Sequence, residues 1–204
     1  MTDALGYEVV ESEPIFRGRV IAVRRDSVRM SDGAVAVREI IEHPGAVGVV
    51  AMDDDGNVLL VNQYRHPVRQ RLDELPAGLL DVAGEPALLA AQRELAEEAG
   101  VTALDWEVLI DLHTSPGMTD EAIRIFLARG LQDIPAEERF EPEHEEIELT
   151  VERVPLDVAV GRVQSGELTN AAAAAGLLAA ALCRDRGWQG LRPADSPWPA
   201  RPGH

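Results

Sequence analysis

One cysteine, Cys183, stands among the 204 residues, which excludes an internal disulfide and a thiolate metal cluster. It lies in an alanine-rich helical stretch and reads as a small packed hydrophobe. No uninterrupted apolar run reaches the roughly 18 to 20 residues of a membrane span, so a soluble globular chain without a membrane partner is expected. The start, MTDALGYEVVESEP, lacks the basic and apolar regions of a secretory leader, and a cytoplasmic location is expected. Basic charge is scarce as well: 19 Lys and Arg face 36 Asp and Glu, for a net charge of -17. Such a surface repels nucleic acid and anionic membranes, which argues against a nucleic-acid partner. A phosphorylated substrate stays compatible with this charge if bound cations reverse the local field, and that requires specific ligands.

The length suits one core domain with a small appended region. RGRVIAVRRDSVRM and AVAVREIIEH alternate apolar and polar residues around the turn Ser31 to Gly33, predicting an antiparallel N-terminal β region over 1–44. A core domain follows over 45–188. It opens with two β-branched runs joined by DDDGN, an Asp-Gly hairpin signal between Ala46 and Arg65. Further strands are expected at Trp106 to Thr114, Ala122 to Leu131 and Ile147 to Leu156, with helices at Pro86 to Ala99, Leu156 to Ser165 and Asn170 to Arg186. Many strands and three helices indicate an α+β fold. The remainder, 189–204, is proline-rich and reads as an extended or mobile tail.

RELAEEAG places Glu94, Glu97 and Glu98 on one stripe of the first helix, while Leu88, Ala91, Leu95 and Ala99 form the apolar stripe. Pro86 suits the first turn and Gly100 a left-handed C-cap. Glu94 and Glu98 are neighbours at i,i+4, where like charges cost about 0.2 to 0.5 kcal/mol. Either the acids face water, with Arg93 softening the repulsion, or they hold a hard divalent cation, which prefers oxygen ligands. Spacing alone does not decide between these.

The wider stretch EPALLAAQRELAEEAGV, Glu85 to Val101, fills every fixed position of the Nudix box: glutamate, seven residues, Arg-Glu, bulky apolar, any, Glu-Glu, any, Gly, bulky apolar. The chain therefore resembles a Nudix hydrolase. The family's opening glycine lies six positions before the first glutamate, where this chain has Leu79, and Gly78 lies seven before, so the loop is one residue longer. The resemblance implies an α/β/α sandwich with a mixed sheet and a loop-helix-loop holding two or three Mg²⁺ or Mn²⁺ ions against a diphosphate. It implies Glu94 and Glu98 as principal metal ligands, Glu97 beside them and the Ala77 carbonyl as a further ligand. Glu98 also counts among the catalytic residues, and Glu85 and Arg93 are expected as supports, Arg93 through a bidentate ion pair.

LDELPAGLLD before the box and TSPGMTDE after it, with Pro116 fifteen residues beyond Val101, resemble the ADP-ribose pyrophosphatase subgroup. That implies hydrolysis of ADP-ribose to AMP and ribose 5-phosphate by a homodimer joined through its N-terminal strands. By position, Arg38 and Arg65 would contact phosphate or ribose, and Phe16 would stack on adenine. Arginine suits the first role because its fork donates two hydrogen bonds to a phosphate. In EPEHEEIEL, Glu143 and Glu146 are the candidates for the catalytic base, with Glu145 between them and His144 flanking the site. Another nucleoside diphosphate sugar or a dinucleotide is the alternative substrate, and a non-catalytic sensing module is the remaining alternative.

Overall fold

In the computed structural model, which describes residues 7–140 and 148–202, β1 (Glu8–Arg17), β2 (Ala22–Arg29) and β3 (Val35–Glu42) form the expected N-terminal meander, antiparallel throughout. Gly33, at φ 84°, supplies the left-handed residue of the β2–β3 turn. Then comes β4 (Ala46–Ala51), buried along its whole length. Its side chains alternate, with Val47, Val49 and Ala51 joining one apolar cluster and Val50 the other, as the period of two requires.

The Asp-Gly turn after β4 forms: the Asp53 amide donates to the Asn57 carbonyl at 2.9 Å, and Gly56 is left-handed at φ 80°. The expected hairpin does not extend from it. After a single Met52–Val58 bridge the strands part, and β5 (Asn57–Arg65) enters a different sheet, between β6 (Gln70–Glu74) and β10 (Thr150–Pro155). Turn chemistry is local, whereas sheet membership is decided by burial. β4 reaches more apolar partners through β9 (Ala122–Asp133), its parallel neighbour, and through β7 (Ala77–Leu79), its antiparallel one. The five-stranded sheet is completed by β8 (Val101–His113) and β11 (Arg192–Pro193), in the order β11-β8-β9-β4-β7. Because β4–β9 is parallel and its other pairs antiparallel, the sheet is mixed.

A sheet apolar on both faces must be covered on both. α1 (Ala87–Ala99) buries Ala90, Ala91 and Leu95 against Val47, Val49 and Phe126. On the opposite face lie α2 (Leu156–Ser165) and α3 (Ala171–Asp185), which bury Leu156, Ala159, Ala173, Leu177 and Ala180 against Val50, Ile125 and Leu127. α3 comes so close that a Cβ on Gly176 would lie 2.9 Å from Leu75 Cδ1 and 3.2 Å from Val50 Cγ2. Asn170 caps α3 by accepting from the Ala173 amide at 2.9 Å. The protein is thus an α+β, three-layer α/β/α sandwich. Cys183 is a half-buried free thiol on α3 and is less enclosed than its composition suggested.

The proline-rich tail departs from expectation. β11 pairs with β8, and Trp198 packs with the α1-side cluster. The Arg124 guanidinium, on a residue 2% exposed, donates to the carbonyls of Ser196 at 2.7 Å and Pro197 at 3.1 Å. A buried cation seeking acceptors pins a segment whose composition alone reads as loose.

Candidate active site

The geometry of α1 shows how its acids are held. Pro86, expected in the first turn, is extended and precedes the helix, so α1 starts one residue later than the sequence marks, and Gly100 at φ 63° ends it where expected. Inside, Arg93 gathers three glutamates. Its Nε and Nη2 donate to Glu85 Oε1 and Oε2 at 3.3 and 3.2 Å, while Nη1 donates to Glu94 at 2.7 Å and Glu97 at 3.1 Å. The side chains of Glu85, Glu94 and Glu97 are only 15, 13 and 25% exposed. That is too enclosed for a freely solvated face. Hydrogen bonding to Glu85 comes first, opposed by burial and reinforced by the Glu94 charge, and together these raise the Arg93 pKa above arginine's ordinary value. The guanidinium is therefore a permanent counter-charge.

Two carboxylates of this helix meet the backbone of β7. Glu98 Oε2 accepts from the Ala77 amide at 2.9 Å. Glu94 lies on Gly78 so closely that a Cβ there would fall 2.0 Å from its Cδ and Oε1. No other residue leaves that space, so Gly78 serves as the glycine of the motif. Between it and the helix, residues 81–84 are exposed and Gly84 turns at φ 79°. Ala77, Glu94, Glu97 and Glu98, drawn from two segments of sequence, are brought together.

On its other side β7 forms the wall of a cavity of about 390 Å³, lined by Ala77 and Gly78 together with His43, Arg65, Glu74, Thr114, Glu121 and Asn170. Arg65 donates from Nε to Glu74 Oε1 at 2.9 Å and from Nη2 to Glu74 Oε2 at 2.6 Å. Glu74 is 4% exposed by side chain and Arg65 is 43% exposed, so a buried acid fixes the plane of a cation at the cavity edge. The sequence reading missed Glu74. Its signal was present in LDELPAG, but the link to Arg65 runs through the β5–β6 pairing, which no local pattern announces. A smaller hollow of about 200 Å³ adjoins Glu97 and Glu98, with Arg139, Phe140 and Leu149 on its rim. Phe140 and Leu149 flank residues 141–147 in sequence, and Glu143, His144, Glu145 and Glu146 lie outside the described residues.

Arg38 and Phe16 are not gathered at this cleft. Arg38 sits on β3, where its Nη1 donates to the Val37 carbonyl at 2.9 Å, and it lines a separate groove with His113, Pro116, Met118 and Arg201. Phe16 is 57% exposed on β1, its ring edge against Gly18, so it is not a core residue. Pro116 stands in the Ser115–Thr119 turn, which docks on β3 through the Ile41 amide to the Met118 carbonyl at 2.8 Å.

Among the described residues, no three His, Cys, Asp or Glu side chains converge as a metal-holding group. The chemistry of the donor set still fits a hard divalent ion: the side chains gathered at β7 offer carboxylate oxygens and no thiolate or imidazole. Arg93 fixes the carboxylates of Glu94 and Glu97, and the Ala77 amide fixes that of Glu98.

Comparison with known proteins identifies the family. The NUDIX domain family matches residues 42–170, and a family described as the nucleoside diphosphate sugar hydrolase N-terminal domain matches residues 7–41. An ADP-ribose pyrophosphatase of Mycobacterium tuberculosis is 48% identical over 196 residues, covering 96% of this chain and 93% of that protein. An ADP-ribose pyrophosphatase of Bacillus subtilis is 38% identical, covering 82% and 89%. A crystal structure of an ADP compounds hydrolase superposes with a TM-score of 0.74 at 25% identity, covering 89% of this chain and 96% of that one. The chain belongs to the Nudix family.

Proposed function

We propose that this Nudix chain is a metal-dependent pyrophosphatase that hydrolyses ADP-ribose to AMP and ribose 5-phosphate. The carrying observation is the meeting of α1 with β7: Glu98 on Ala77 and Glu94 on Gly78, at the wall of a cavity edged by Arg65. Glu94, Glu97, Glu98 and the Ala77 carbonyl would hold two or three Mg²⁺ or Mn²⁺ ions. When bound, such ions screen the diphosphate and supply a more acidic water for attack at phosphorus. The chain's own residues do the rest. Arg93 keeps Glu94 and Glu97 oriented, the Ala77 amide orients Glu98, and Arg65, locked by Glu74, offers positive charge to a diphosphate in the cavity. Glu143 or Glu146 is proposed as the base, since the segment carrying them joins the rim residues Phe140 and Leu149 beside Glu97 and Glu98.

Arg38 and Phe16 retain a proposed substrate role only if a second copy brings its N-terminal sheet to the cleft. Val9, Val10, Ile15, Phe16, Val35 and Val37 are all exposed on that sheet, and exposed apolar side chains in such number mark interfaces. A homodimer through this region is therefore proposed, checked by light scattering and by loss of the dimer on placing aspartate at Val35 and Val37. The activity is tested by offering ADP-ribose, other nucleoside diphosphate sugars and dinucleotides at low concentration with Mg²⁺, then with Mn²⁺. AMP and ribose 5-phosphate should appear fastest from ADP-ribose. Preferential cleavage of another nucleoside diphosphate sugar would move the assignment to that substrate, and no cleavage of any would refute it.

A further inference from the structure

Residues 80–86 set the relation between the two halves of the site, because they join the strand bearing Ala77 and Gly78 to the helix bearing the glutamates. This connection is one residue longer than the Nudix pattern, and residues 81–84 are exposed. A longer exposed loop has more conformations to lose. Its helix end is held by the C-terminal segment and its strand end by Gly45. At the helix end, Arg201 Nη2 donates to the Glu85 carbonyl at 3.3 Å. At the strand end, the Leu80 amide donates to the Gly45 carbonyl at 3.0 Å, and Pro202 lies beside Gly45, where a Cβ would fall 3.2 Å from Pro202 Cδ.

The segment is itself firmly anchored. Besides accepting from Arg124 through Ser196 and Pro197, it places the Trp198 ring 4.9 Å from the Arg124 guanidinium, and Arg192 donates to Asp111 Oδ2 at 2.7 Å. Asp111 also takes Arg124 Nε at 2.8 Å and Nη2 at 3.1 Å. Lifting the segment away would strip two acceptors from a buried cation. From Trp198 a turn closed by the Arg201 amide to the Trp198 carbonyl at 3.1 Å directs Arg201 back toward Glu85.

We infer that residues 192–202 form a positioning strap for the carboxylate site. Arg201 fixes the Glu85 backbone, the Glu85 side chain fixes Arg93, and Arg93 fixes Glu94 and Glu97. The inference rests on the proposed function only in taking this cluster as the metal-holding site.

The test uses the full chain, Arg201→Ala, Arg201→Lys and a chain ending at Ala200, all of which retain Trp198 and the Arg124 contacts. Four quantities are measured: kcat and KM for ADP-ribose, Mn²⁺ affinity of the nucleotide-free protein by electron paramagnetic resonance, and the thermal midpoint. In Arg201→Ala and the shortened chain, kcat and Mn²⁺ affinity should each fall about tenfold, with KM within about twofold of the parent. Arg201→Lys should recover part of both, and the thermal midpoint should stay near the parent's. Unchanged Mn²⁺ affinity in both variants overturns the inference, as does a raised KM at unchanged kcat, which would make Arg201 a substrate contact. If the parent binds Mn²⁺ yet leaves ADP-ribose intact, the substrate assignment fails while the Mn²⁺ titration still decides the strap.

Discussion

Replacing Gly78 by alanine tests the geometry of the site with a single methyl group. The new Cβ would lie 2.0 Å from both Cδ and Oε1 of Glu94, and real Cβ contacts essentially never fall below 3.0 Å. The carboxylate must therefore retreat by about 1 Å, and a displacement of that size at a reacting centre costs about a hundredfold in rate. The stability cost should be smaller, because the obstructed atoms, Glu94 Cγ included at 2.4 Å, all belong to a side chain rather than to backbone. Overpacking costs about 1 to 3 kcal/mol in a tight core, and the low end of that range corresponds to a fall of about 2 to 4 °C in Tm for a chain of this length. Gly161→Ala is the matched control. It lies within α2, a Cβ there would meet nothing within 4 Å, and removing a helical glycine stabilises by about 0.5 to 1 kcal/mol. Steady-state AMP release and calorimetric Tm should separate the two: Gly78→Ala loses turnover at nearly parental stability, and Gly161→Ala keeps turnover. Parental kcat in Gly78→Ala, or a loss of kcat explained by unfolding, would refute the placement of Glu94 at the reacting centre.

Glu94→Gln and Glu98→Gln should each lower kcat by orders of magnitude with circular dichroism unchanged, and undiminished turnover in either would remove that residue from the metal-holding set. Arg93→Lys replaces a fork that bonds three glutamates by a point charge; kcat should fall about 10- to 100-fold, and Tm should fall with it. Stability below neutral pH should depend on Asp111. Burial alone would raise its pKa, but hydrogen bonds and charge from Arg124 and Arg192 outweigh it and hold the carboxyl below the ordinary range. A depressed carboxylate contributes stability above the unfolded pKa of about 3.9, and loses it as pH falls through the lower folded value. Urea midpoints measured against pH should therefore show a steep acid limb below about pH 4 that is shallower in Asp111→Asn, and identical limbs would contradict this role.

Local pattern carried the helices far better than the sheets. The stripe of Leu88, Ala91 and Leu95 and the stop at Gly100 are properties of one contiguous segment, and α1 ends where they place it. Strand β7 is three residues long, AGL, with no alternation to detect. It is a strand only because β4 offers it an edge and α1 presses Glu94 onto Gly78. The hairpin after β4 illustrates the same limit, since DDDGN specifies a turn but says nothing about which sheet the next strand will enter.

Charged residues divide in the same way. Arg93 and its glutamates lie within thirteen positions of one another, Glu85 to Glu97, so a motif could reveal their association. Arg65 with Glu74, and Arg124 with Asp111 and the carbonyls of Ser196 and Pro197, are joined only by the tertiary fold. For Arg124 the consequence reaches furthest. Beyond the packing of Ala194 and Trp198 on the α1-side cluster, a guanidinium inside the fold must find acceptors, and the Ser196 and Pro197 carbonyls supply two of them. Part of what holds the C-terminal segment therefore lies in β9, about 70 residues upstream, and a reading confined to the segment's own composition had no access to that cause.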